Sequence, residues 1–365
     1  MKVLINAPKL SKGGGVSIYW STIFDKLNLT DARLFCVGGQ KKKEFFLEKL
    51  YRLFKDYYAF YYTVKHYDLV LINPSLQINA VIRDALFILI AKARSKKVIS
   101  FFHGWDPKFE ARLTDWIKSI FTKIFFSSDA LIVLSSEFKK KIVAWGCNKP
   151  IFVESTAIAY NPLPTGKLVH NIKKTRLLFL SRIEKDKGIY ELFDIFKEIK
   201  KENSDVELVV AGNGSELGNC RDYINSENIE DVRLLGFVTG SKKEEVFSLS
   251  DIFVLPTRHG EGMPISILEA MFYKLPIITM KVGGLKDFFK NGEMGYAFEQ
   301  YDIRSMQHEI KKLISDKKQI QRIGASNRAF AIKYFCAPSV AKRINDIIRF
   351  VYTKQGNPKH HWYNP

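Results

Sequence analysis

The sequence has little cysteine: four in 365 residues (Cys36, Cys147, Cys220, Cys336), far apart and with no C-x-x-C pair. That excludes a small disulfide scaffold and gives no zinc-site spacing, so a reducing compartment is expected. Long apolar runs are missing too. DALFILIAKARSKK meets charge after seven apolar positions, well short of the ~18 that a bilayer-spanning helix needs. The opening MKVLINAPKL has too short an apolar stretch for a signal-peptide core and runs directly into glycines, which reads as a first strand. No repeat of solenoid period and no low-complexity tract is present. Acidic residues are scarce, at 38 Asp and Glu against 57 Lys and Arg, for a net charge of +19.

What is present describes a globular chain of two domains. The length exceeds what one core usually serves, 46% of residues are hydrophobic, and 28 Phe and 16 Tyr are a rich aromatic supply. The basic excess is uneven: residues 1–170 hold 26 Lys and Arg against 13 Asp and Glu, the remainder 31 against 25. Such a field draws phosphate-bearing partners, whether nucleic acid, anionic lipid or phosphorylated substrates.

Near-continuous apolar runs (KVLINA, ARLFCVG, YDLVLINP, KVISFFH, ALIVLS, IFVEST) alternate with helical patterns, the mark of a parallel sheet covered on both faces. The linker-like AYNPLPTGK (159–167) follows, and the alternation restarts with RLLFLSRI, VELVVAGNG, VRLLGFV, DIFVLPT and PIITMKVGG. The expected fold is α/β, with two doubly wound, Rossmann-like domains facing a cleft: 1–165, 166–335, and a C-terminal helix and tail over 336–365. Ligands of such sheets bind beyond the carboxyl ends of the strands, so the strand exits carry the candidate site.

Several exits bear chemistry. KLSKGGGVSIYW (9–20) sets glycines before a helix, where backbone N–H groups and the helix dipole can hold an anion, although glycine turns are also common. SRIEKDKG (181–188) offers Arg182 and Lys187, a fork and a point charge able to neutralise a diphosphate, or else a solvated charged loop. Gly212 lies in AGNGSE. Peptide groups near Phe237 and Val238 could meet a planar base, while Ser241 and Glu244 read as a helix capping box. In HGEGMPISILEAM, Pro264 suits the first helical position, Glu261 the loop, and Glu269 the border of a stripe formed by Leu268, Met271 and Leu275. Each glutamate alone also reads as structural. His103 in HGWD ends a strand. The segment 41–67 is a basic helix with Leu47, Leu50, Phe54, Tyr58 and Tyr61 on one stripe, set to pack on the sheet or to lie on an anionic membrane.

All these signals fall on strand exits in one order, and that arrangement resembles the retaining glycosyltransferases of family 4, in the GT-B superfamily with the group 1 glycosyl transferases. E-x7-E (Glu261, Glu269), the following AMFYKLPIITMKVGGLKDFF and SRIEKDKG carry the likeness most sharply; GGG, HGWD and DALIVLSSEF add to it. FYK (272–274) and HGWD depart from the family's usual residues. The resemblance implies that Arg182 and Lys187 hold a donor diphosphate and offset the charge on the leaving group. It places Glu269 on the ribose hydroxyls and Glu261 on the transferred sugar, with Gly262, Met263, Pro264 and Ile265 beside it. Gly14 and Gly15 would close over the phosphates, and His103 would approach the sugar. No cofactor is implied beyond a nucleotide-diphosphate sugar as substrate, a UDP-sugar first. No Asp-x-Asp occurs, so no metal is expected and positive side chains take its place. The acceptor implied is a lipid-linked saccharide of bacterial surface polysaccharide, at the cytoplasmic face of the membrane.

Two rivals remain: a GT-B sugar-nucleotide epimerase, which shares the architecture, and a nucleic-acid-binding protein, which would explain the charge but matches no recognition motif.

Overall fold

The structure is a computed structural model and describes residues 1–10, 14–38, 46–74, 76, 78–105, 107–160, 174–258, 262–356 and 358. The chain divides into two compact units. Unit 1 takes Met1–Ala159, Gly260–Met263 and Ala337–Pro365; unit 2 takes Tyr160–His259 and Pro264–Cys336. Most of the proline-bearing stretch 159–167 lies outside the described residues.

Unit 1 contains β1 (Lys2–Pro8), β2 (Asp31–Val37), β3 (Leu69–Ile72), β4 (Lys97–Phe102), β5 (Ala130–Val133) and β6 (Ile151–Val153). They form one parallel sheet in the order β2-β1-β3-β4-β5-β6. β3 and β5 are buried at every position, as strands covered on both faces must be. Its helices are α1 (Gly15–Ile23), α2 (Phe46–Thr63), α3 (Ile78–Ala93), α4 (Pro107–Ala111), α5 (Asp115–Phe125) and α6 (Ser136–Ala144).

Unit 2 repeats the plan with β7 (Thr175–Leu180), β8 (Val206–Ala211), β9 (Val232–Gly236), β10 (Ile252–Leu255), β11 (Ile277–Met280) and β12 (Gly295–Phe298), ordered β12-β11-β10-β7-β8-β9. α7 (Ile189–Glu202), α8 (Leu217–Ser226), α9 (Gly240–Ser248), α10 (Ile265–Phe272), α11 (Ile303–Ser315) and α12 (Lys317–Tyr334) cover it. The short β12, GYAF, is a strand that the sequence pattern does not announce.

In each sheet the order reverses once, between β1 and β3 and between β7 and β10. In unit 1, right-handed crossovers on either side of that point put α1 on one face and α2, α3 and α5 on the other. The last helix, α13 (Ala337–Thr353), joins α1: Val340, Ile344 and Ile348 are fully buried in one core with Val3, Tyr19 and Trp20. Arg343 pins it there, with Nε 2.8 Å from Glu154 Oε1 and Nη2 3.0 Å from Ser155 Oγ; Glu154 is wholly buried.

Two readings need correction. Of the two open for the α2 stripe, packing on the sheet fails, because the stripe faces outward: Leu50 is 55% and Phe54 74% exposed, and Tyr58 and Tyr61 are exposed too. The helix instead buries Phe60, about 100° round from Tyr61, against Phe35 and Phe87, because an aromatic ring there reaches the sheet. Leu47 lies outside the described side chains. Nor do Ser241 and Glu244 make a capping box. α9 starts two residues earlier, with Thr239 at its N-cap and no side-chain cap. Among the described residues no helix is long and apolar enough to cross a membrane.

Candidate functional site

In unit 2 the exits of β7, β8 and β9 are laced together through backbone hydrogen bonds: Ser181 N to Ala211 O at 3.2 Å, Ile183 N to Asn213 O at 3.1 Å, and Gly212 N to Gly236 O at 2.8 Å. Gly212 is required there. Its φ is +146°, and a Cβ would lie 1.8 Å from Ser181 O. Arg182 sits within this lacing, its side chain 61% exposed and its Nη1 2.9 Å from Glu184 Oε1. The chain then makes a 3-10 turn, Lys185–Lys187, and ends it at Gly188 in the left-handed region (φ +77°), where a Cβ would meet Pro256 O at 2.2 Å. Arg258 N donates to Asp186 O at 2.8 Å, so the turn is tied to the β10 exit. Lys187 is 1% exposed. The β7 exit therefore presents one exposed guanidinium and one buried ammonium within six residues.

The β10 exit leads into α10. Pro264 is its N-cap rather than its first helical residue as expected, the helix starting one place later at Ile265, and Ile267, Leu268 and Met271 form its buried face. Glu269 borders that face with its side chain 21% exposed, and its Oε1 accepts from Lys243 Nζ of α9 at 2.6 Å. Burial raises the Glu269 carboxyl above its usual range, and Lys243 opposes that rise. Pro264 is buried and Ile265 half-buried. Beyond β9, Phe237 stands 76% exposed and Val238 is half-buried. Glu261, the other member of E-x7-E, lies outside the described residues.

In unit 1 the corresponding edge carries Gly14, Gly15 and His103. Gly14 (φ +95°) is the N-cap of α1, which has no side-chain cap, and a Cβ on Gly14 or Gly15 would meet nothing within 4 Å. His103 follows β4. Its ring stacks on Phe101 at 3.9 Å and takes the edge of Tyr19 at 4.8 Å. Burial holds its imidazole down at about 3, so it is neutral through the physiological range. Its Nε2 lies 2.8 Å from Asn73 Oδ1. Gly262 and Met263 also belong to unit 1. A Cβ on Gly262 would come 2.9 Å from His103 O, and Met263 O accepts from Thr156 Oγ1 at 3.3 Å.

The site residues thus sort into Gly14, Gly15, His103, Gly262 and Met263 in unit 1, and Arg182, Lys187, Gly212, Phe237, Val238, Pro264, Ile265 and Glu269 in unit 2. Two residues escaped the sequence reading. Asn73 stands at the β3 exit, where the strand-exit rule could have found it; Lys243 was hidden in an apparent capping motif.

Two doubly wound parallel sheets in one chain are the GT-B architecture. Residues 165–330 match the family model of the glycosyl transferases group 1. It is 30% identical over 199 residues to the capsular polysaccharide biosynthesis glycosyltransferase CapM of Staphylococcus aureus, a match covering 53% of this chain and 51% of CapM. The chain spans about half the length of the curated relatives it matches. Among solved structures, Anabaena Alr3699/HepE in complex with UDP-glucose superposes with a TM-score of 0.74 at 17% identity, covering 95% of this chain and 99% of that one. Sucrose-phosphate synthase from Thermosynechococcus elongatus gives 0.77 at 16% identity, over 97% and 100%.

Proposed function

We propose that this chain is a family 4 glycosyltransferase that moves a sugar, with retention of configuration, from a nucleotide-diphosphate sugar to a lipid-linked saccharide in bacterial surface polysaccharide synthesis. The observation that carries this is the cation pair at the β7 exit: Arg182 is exposed and Lys187 buried, on a turn held by Gly188 and Gly212, inside the stretch that matches the group 1 family.

In this reading Arg182 and Lys187 hold the donor's diphosphate and stabilise the negative charge that grows as it departs, the work a metal does elsewhere. Glu269 accepts from the ribose hydroxyls, and exposed Phe237 offers a face to the base. The bond from the anomeric carbon to phosphate oxygen breaks while the acceptor oxygen attacks the same face; the departing phosphate oxygen takes the acceptor's proton. The fold shared with HepE, solved with UDP-glucose, supports a UDP-sugar as the first donor to try.

The lipid-linked acceptor draws support from the outward face of unit 1. Eleven of the sixteen large hydrophobic side chains exposed among the described residues lie on α2, α3 and α5, with Phe54, Tyr58, Ile82, Leu86, Trp116 and Ile120 among them. These three helices cover one face of the sheet, and Arg94 lies 3.7 Å over the Tyr61 ring. Tyrosine, tryptophan and basic residues around an apolar surface suit the headgroup region of an anionic bilayer. The assignment places the protein on the inner face of the cytoplasmic membrane.

The test is a melting-temperature panel with UDP, GDP, dTDP and their common sugars, since a ligand preferring the folded state raises the midpoint. Flotation with anionic and with neutral vesicles would follow. A rise for one nucleotide and its sugar supports the donor reading, and no rise for any of them would remove it.

A further inference from the structure

We infer that Asn73 is the positioning residue that fixes His103 as the Nε2–H tautomer and so leaves Nδ1 as an acceptor for a hydroxyl of the sugar substrate. The sugar rests on the function proposed above; the tautomer does not.

The orientation of the Asn73 carboxamide follows from its neighbours. On one side is the backbone carbonyl of Asn6, which can only accept, and Asn73 Nδ2 donates to it at 2.8 Å. On the other is the Trp20 indole, which can only donate, and its Nε1 lies 3.0 Å from Asn73 Oδ1. The amide therefore cannot flip without setting acceptor against acceptor and donor against donor. Oδ1 is thus the atom that meets His103 Nε2 at 2.8 Å, and Nε2 must be the donor. A neutral imidazole carries a single N–H, so the lone pair sits on Nδ1.

The surroundings make this a built device. Trp20 is wholly buried and Asn73 is 6% exposed. Phe101 and Tyr19 close two sides of the imidazole and resist its rotation. The four linked groups come from β1, α1, the β3 exit and the β4 exit, which meet at the reversal point of the unit 1 sheet, where such sheets take their ligands. α1 opens at Gly14, so the helix behind the glycine loop also holds, through Trp20, the oxygen that sets the histidine. A ring presenting Nδ1–H would donate where this one accepts, and sugar hydroxyls gained or lost as partners change rates strongly.

The experiment is nitrogen NMR of the protein labelled in histidine, with the His103 signals assigned by His103→Asn, beside turnover of UDP-glucose as the donor probe. We expect the wild type and Trp20→Phe to show Nε2–H, and Asn73→Leu to show mixed or Nδ1–H imidazole, with kcat reduced at least tenfold. Where Asn73→Leu does not fold, Asn73→Ser, too short to reach both partners, gives the same readout. An Nδ1–H wild type, an unchanged tautomer in the Asn73 variants, or a changed tautomer with unchanged kcat would each overturn the inference. A wild type inert toward every nucleotide sugar would sink the proposed activity instead, and the NMR result alone would then decide the tautomer.

Discussion

Lys243 on α9 and Glu269 on α10 meet at 2.6 Å, so a carboxylate expected to serve a ligand is held by a lysine from a neighbouring helix. Burial raises the Glu269 carboxyl above the ordinary 4.5, with Lys243 pulling the other way. The folded chain then keeps this proton to higher pH than the unfolded chain. Its contribution to stability is complete below about 4.5 and is lost as pH rises through the folded value. Urea denaturation across pH is therefore expected to show the wild type losing stability relative to Glu269→Gln as pH rises above that point. Lys243→Met should shift the loss to higher pH. Parallel pH profiles for wild type and Glu269→Gln would contradict the account.

Arg182 separates chemistry from folding because its side chain is 61% exposed. Arg182→Ala should change stability by less than about 0.5 kcal/mol. Turnover should fall by about 2–4 kcal/mol in barrier, roughly 30- to 1,000-fold, the usual loss when a charge-stabilising donor is removed. Arg182→Lys should recover only part, for want of the fork. Unchanged turnover in Arg182→Ala would remove the electrostatic role.

Two glycines that look alike in sequence should behave oppositely. Gly212→Ala forces a Cβ to within 1.8 Å of Ser181 O at a positive φ, and a loss of more than about 2 kcal/mol is expected. Gly15→Ala meets nothing within 4 Å and should fold as the wild type does. Thermal unfolding of the pair is the check, and equal midpoints would be the failing result.

The Arg343–Glu154 pair holds α13 against the rest of unit 1, with Glu154 fully buried. Arg343→Met strands that carboxylate and should cost about 3–5 kcal/mol. Adding Glu154→Leu should restore most of the loss. A double variant no better than the single one would show that the pair is not what α13 depends on.

How much of this the sequence disclosed depends on the range of each interaction. The strands of both sheets apart from β12 were readable, because strands covered on both faces show as apolar runs such as LVLI and ALIV. Arg182 and Lys187 were readable because a strand exit is a local pattern. The face of α2 was not: Phe60 and Phe54 are both apolar at helical spacing, and only Phe35 and Phe87, far away in sequence, decide which is buried. Asn73 and Lys243 were missed for the same reason. Each acts through a partner dozens of residues distant, His103 or Glu269; the β3 exit marks the place of Asn73 but not its partner, and nothing near Lys243 in sequence marks it.

The placement of α13 has a consequence for synthesis. The first unit to leave the ribosome lacks Val340, Ile344 and Ile348 from its core until the last helix is translated, whereas unit 2 ends at Cys336. At about 5–20 residues per second, roughly 20–60 s separate the emergence of α1 from that of its partner helix. The amino-terminal half is thus expected to complete its core only after α13 emerges, with the α1 side of that core bare in the interval. Nascent chains arrested before Ala337 should accordingly be cut by protease within the first half while the second half resists.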